Sequence, residues 1–83
     1  MSNTNRVTMY EPAVYEVRVQ GQLDQSWIVQ MYVETIAVIA DPDQGPVTVL
    51  TTTFRDQAEL RGLLDRIYNL NLPLMSVRYI TTR

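Results

Sequence analysis

From residue 15 to residue 20 apolar and polar side chains alternate, Tyr15, Val17 and Val19 against Glu16, Arg18 and Gln20. That period of two belongs to a strand that buries one face, and it predicts a first strand over residues 14–20, stopped by Gly21. Residues 32–40 predict a second strand with Val33, Ala37 and Ile39 on one face and Ile36, Val38 and Ala40 on the other. A strand apolar on both sides is expected at the centre of a sheet or under cover on both sides. Asp41-Pro42-Asp43-Gln44-Gly45-Pro46 is dense in turn residues, with Pro presetting φ and Gly supplying positive φ. Residues 47–53 are rich in Val and Thr, which favour strands, so strands two and three form a hairpin.

The period changes after residue 55. Leu60, Leu63, Leu64, Ile67 and Leu70 fall at helical spacing and predict one helix over residues 56–69. Asp56 with Glu59 three residues on fits a capping box at its start, where the helix dipole favours carboxylates. Gly62 lies inside and costs about 1 kcal/mol against alanine; close approach of the helix to the sheet is the expected reason. Asn71 suits the left-handed position after the helix, and Pro73 prevents its continuation. A fourth strand is predicted over residues 74–81, with Met75, Val77 and Tyr79 facing opposite to Leu74, Ser76, Arg78 and Ile80.

Two stretches lack a clear period. Residues 1–12 are polar and end in Pro12, which reads as a flexible N-terminal arm ahead of a single domain over residues 13–83. Residues 22–31 read as a turn or short helix, with Asp24 capping a turn ahead of Trp27, whose ring is expected to lie buried on the sheet or in an interface.

The expected fold is α+β: one mixed four-stranded sheet with one principal helix, in the order β-(turn or short helix)-β-β-α-β. A right-handed crossover would make strands three and four parallel if they share the sheet. A full helix over residues 24–31 would give the ferredoxin-like alternative. Ten residues are few for a helical crossover, so a three-strand meander followed by helix and strand ranks first.

Composition then removes chemistry. The 83 residues contain no cysteine, no histidine and no lysine. Thiolate metal sites, imidazole bases, Schiff bases and the P-loop lysine are thereby excluded. The net charge is −2, and the pI is about 4.8. Arginines at positions 6, 18, 55, 61, 66, 78 and 83 are scattered along the chain, unlike the basic face of a nucleic-acid binder. No apolar run reaches the ~18–20 residues of a membrane span, and residues 1–9 lack the apolar core of a signal peptide. A cytoplasmic protein with neither nucleic-acid nor membrane partner is expected.

The stretch TVLTTTFRDQAELRGLLDRIYNLNLPLMSVRYI, residues 48–80, resembles a widespread family of short, uncharacterised bacterial and archaeal proteins. Its pattern runs T-x-L-x-G, then D-Q-A-x-L-x-G-L-L-x-x-I, then L-G-L-P-L-x-S-V. Gly21, Leu23, Asp24 and Trp27 are similar to the V-x-G-x-L-D-x-x-W segment of that family. The chain departs from the pattern at Gln30 and Met31 (an aromatic pair in the family), at Thr52 and Asn71 (often Gly) and at Arg61 (commonly His). The resemblance implies the fold and no activity.

The candidate chemical groups each have a structural explanation. Asp56 beside Gln57 is a helix cap. Asp41 and Asp43 are turn residues that lack the glycine and distal glutamate of a calcium loop. Glu16 and Glu34 would form an acid–base pair only if their strands were neighbours, and Ser26 and Ser76 have no histidine to activate them. An enzyme, a cofactor and a metal are therefore not expected. The apolar excess is more informative, because one helix covers one face of a four-stranded sheet. Trp27, Met31, Tyr32, Ile36 and Val38 are the candidate interaction surface, and a homodimer is the expected user of it. A pocket between helix and sheet, lined by Trp27 and tyrosines, is the alternative, and would bind a small ligand.

Overall fold

A computed structural model describes residues 6–23, 26 and 33–83. Four strands and one helix follow in the order β1 (Ala13–Gln20), β2 (Thr35–Asp41), β3 (Gly45–Phe54), α1 (Gln57–Asn69) and β4 (Leu74–Thr82). The strands form one sheet in the order β2-β3-β1-β4, so the domain is α+β, as the pattern predicts. β1 sits between β3 and β4, with Val17 opposite both Leu50 and Val77.

Three expectations are corrected by this order. The first three strands are not a meander, because β1 pairs with β3 and not with β2. β3 and β4 do run in the same direction, but β1 lies between them and every neighbouring pair is antiparallel. The sheet is therefore not mixed. Insertion of a strand between the two strands of a β-α-β unit is the split arrangement of the ferredoxin-like alternative; residues 24, 25 and 27–32, where its other helix would fall, lie outside the described residues. Finally, β2 is an edge strand, and none of its seven residues is buried. Its apolar residues on both faces reflect the β-propensity of Val, Ile and Thr, not a central place.

The core lies between one face of β1 and β3 and the apolar stripe of α1. Val17, Val19 and Tyr15 of β1 meet Leu50 and Phe54 of β3 and Leu60, Leu63 and Ile67 of the helix. Leu64 packs against this cluster, whereas Leu70 is exposed and ends the helix as its C-cap. Asp56 is the N-cap: its Oδ1 accepts the Glu59 N–H at 3.0 Å. Glu59 Oε1 accepts the N–H of Arg55 at 2.9 Å, one residue before the cap, so the box is closed in a modified form. The Gln57 N–H is taken by the Met9 carbonyl at 2.9 Å. At the other end Leu72 N–H reaches Ile67 O and Asn71 N–H reaches Tyr68 O. Asn71 adopts φ 61 there, completing the expected left-handed stop.

Two buried threonines of β3 hold the ends of the segment that joins β1 to β2. Thr48 Oγ1 donates to Gly21 O at 2.6 Å and accepts the Leu23 N–H at 3.0 Å. Thr52 Oγ1 accepts the Glu34 N–H at 3.2 Å. Leu23 and Val33, just inside these two anchors, are both buried in the core.

Candidate functional site

Pairing fixes which way each side chain of the outer strands points. Val77 and Tyr79 lie opposite the core residues Val17 and Tyr15, so they share the face that carries the helix. Arg78 and Ser76 lie opposite Glu16 and Arg18 on the other face. The helix makes its closest approach to β3. Not one of the nine residues of β4 is buried. Leu74, Met75, Val77 and Ile80 remain 39–49% exposed. Only Tyr79 joins the core from this strand, its ring edge-on to Tyr15 at 5.9 Å. The opposite edge, β2, exposes two large apolar residues, Val38 and Ile39.

Of the expected interaction surface, Ile36 is half-buried and packs against the core, while Val38 is exposed on the same face of the same strand. Trp27, Met31 and Tyr32 lie outside the described residues, as does the expected placement of the Trp27 ring. The exposed row on β4 was not singled out by the sequence, although the alternation of Leu74 to Ile80 carried its signal: apolar residues fall on both faces of a strand.

The charged residues of the sheet are engaged. Glu16 Oε1 accepts Arg18 Nε at 3.0 Å, and its Oε2 accepts Arg78 Nη2 at 3.2 Å. The Arg78 hydrogen bond, with that of Arg18, holds the Glu16 carboxyl below the usual carboxylate range against the opposing effect of desolvation. Glu34 Oε1 accepts both the N–H and the Oγ1 of Thr53, standing in for a strand partner just before β2 begins. Glu16 and Glu34 therefore form no acid–base pair, because β3 separates β1 from β2. Asp41 Oδ1 accepts the N–H groups of Asp43 and Gln44 at 2.8 and 2.9 Å, the role of a turn residue. Among the described residues there is no cluster of acidic side chains that could hold a metal ion, and no helix long and apolar enough to cross a membrane.

A groove of about 360 Å³ runs between α1 and β3, bounded by Thr52, Phe54, Glu59, Gly62, Leu63 and Arg66. Its size fits a small ligand, but no tyrosine is among the described residues that line it, and Glu59 is committed to the helix cap. Gly62 opens onto this groove. A Cβ at that position would meet nothing within 4 Å, so close approach of the helix to the sheet does not explain the glycine.

A family profile described only as a domain of unknown function matches residues 14–78. No curated protein and no solved structure matches the chain.

Proposed function

The chain belongs to that family, DUF8691, and on its own geometry we propose that it is a non-catalytic interaction module which self-associates through apolar surface of its sheet. The observation that carries this reading is β4, a nine-residue strand with no buried residue and four large apolar side chains exposed. Within one copy β4 contributes its ladder to β1, the packing of Tyr79 and the Arg78–Glu16 ion pair, whereas a second copy covering its exposed apolar side chains removes apolar area from water at about 25 cal/mol per Å². The absence of histidine, cysteine and lysine from the sequence, together with the engagement of Glu16, Glu34, Asp41 and Asp56, favours binding over catalysis, with no cofactor. The place of action is the cytoplasm, and an acidic chain with scattered arginines suits a protein partner better than nucleic acid.

Light scattering across a concentration series tests this reading. A dimer mass that falls towards the monomer on dilution is expected, and a monomer at every concentration would refute it. The α1–β3 groove supports a second reading, a small-ligand site. It ranks lower because Glu59, the carboxylate among its described lining residues, already serves the helix.

A further inference from the structure

The flank of α1 turned away from the α1–β3 groove borders a second recess. We propose that this recess, between α1 and residues 8–11, binds a small monocarboxylate with an apolar body, its carboxylate held by Arg61.

The recess is built by the helix period and by one fixed turn. Gln57, Arg61 and Leu64 recur at i, i+4 and i+7 and so share one flank of the helix. Glu59, Gly62 and Arg66, which line the other groove, lie on the opposite flank. The facing wall is Met9, whose carbonyl takes the Gln57 N–H at 2.9 Å. Thr8 Oγ1 accepts the Tyr10 N–H at 3.3 Å and donates to Glu11 Oε1 at 3.1 Å. These bonds fold residues 8–11 against the start of the helix. The space of about 370 Å³ is bounded by Met9, Gln57, Ala58, Leu60, Arg61 and Leu64, a volume within the range of small-molecule sites.

The lining selects the ligand. Met9, Ala58, Leu60 and Leu64 are apolar. Leu60 is buried and Leu64 packs on the core, so the floor is rigid. Met9 is exposed and unbranched, and can adjust over a guest. Two polar residues remain. Gln57 Nε2 donates to the Tyr15 hydroxyl at 2.9 Å, which orients the amide and leaves its second N–H for a ligand oxygen. Arg61 makes no hydrogen bond and no ion pair among the described residues, although Asp65 stands one turn further along.

No carboxylate is among the described lining residues. Asp56 spends Oδ1 on the Glu59 N–H, and Glu59 lines the other groove. The recess therefore carries one unopposed positive charge beside an apolar floor. A guanidinium matches one carboxylate through two parallel hydrogen bonds. The apolar remainder of such a ligand gains by burial over Leu60 and Leu64. A phosphate dianion would find a single cation and leave that floor uncovered, and a neutral hydrocarbon would leave the charge unused.

Octanoate is the probe, with octanol as the same chain without the charge. In an NMR titration, millimolar octanoate is expected to shift the amides of residues 57–64 and the Met9 methyl. Arg61→Gln is expected to weaken octanoate binding about fivefold, and octanol is expected to bind the parent and this variant alike. Met9→Glu keeps the backbone bond to Gln57 but sets a carboxylate beside Arg61, and is expected to abolish the octanoate shifts. The amide spectra of both variants show directly that they fold. The proposal is overturned if octanoate causes no shifts, or if its affinity is equal in the parent and Arg61→Gln. Shifts centred on Thr52–Phe54 would also overturn it, because they would place the ligand in the α1–β3 groove.

Discussion

Thr48 donates its hydroxyl to the carbonyl of Gly21 at 2.6 Å while accepting the N–H of Leu23 at 3.0 Å. One fully buried oxygen thus serves both backbone groups where the chain leaves β1. Gly21 itself has φ 104, a conformation that side chains resist, and its N–H is bonded to Pro46 O at 2.8 Å. The turn after β1 is therefore fastened to β3 at two points.

Replacing Thr48 with valine keeps the shape and strands both partners. Leaving buried backbone groups unsatisfied costs about 1–3 kcal/mol, so Thr48→Val should lower the denaturation midpoint by a corresponding amount. An unchanged midpoint would show that water reaches Gly21 and Leu23 without the hydroxyl.

The N-cap of α1 offers a smaller effect. Asp56→Ala removes the acceptor for the Glu59 N–H and should cost about 0.5–2 kcal/mol. A domain of this size has roughly 4–12 kcal/mol in total, so the loss is readable by urea denaturation.

Acid should weaken the link between β1 and β4. Arg78 and Arg18 lower the folded-state pKa of Glu16 below 4.5, so the ionised carboxylate adds stability in full above that value. The contribution is lost as pH falls through the lowered folded-state value. Glu16→Gln should therefore be less stable than the parent near pH ~7, and the gap should narrow as acid protonates the Glu16 carboxyl. A gap that persists in acid would assign the effect to packing.

Gly62→Ala should raise stability. The position is helical without positive φ, and an added Cβ meets no neighbour within 4 Å, so about 0.4–1 kcal/mol is gained through the unfolded state. Thermal denaturation checks the sign; a loss would mean that the α1–β3 groove is filled in solution.

Local chemistry was legible in the sequence and long-range order was not. The alternation from Tyr15 to Val19, the Asp41–Gly45 turn and the Asp56–Asn71 helix signals each act within a few residues, and each is found where it was read. The place of β1 between β3 and β4 depends on partners far along the chain, which no local period encodes. β2 misled because Ile36, Val38 and Ile39 suit any strand, edge or centre. By composition alone Thr48 and Thr52 count only as strand formers. Their spacing of four on the buried face of a strand, where Val is the ordinary choice, was the available sign that hydroxyls were needed there.

The central place of β1 also sets the order of events in folding. Its two neighbours arrive late: Glu16 and Arg78, joined across β1 and β4, are 62 residues apart. Domains built from such distant pairs fold more slowly than helical bundles of equal length. During synthesis β1, with fully buried Val17 and Val19, emerges first and keeps one margin open until β4 has left the ribosome. For that interval its best substitute for β4 is a strand from another nascent chain, which makes translation speed through residues 54–82 a determinant of soluble yield.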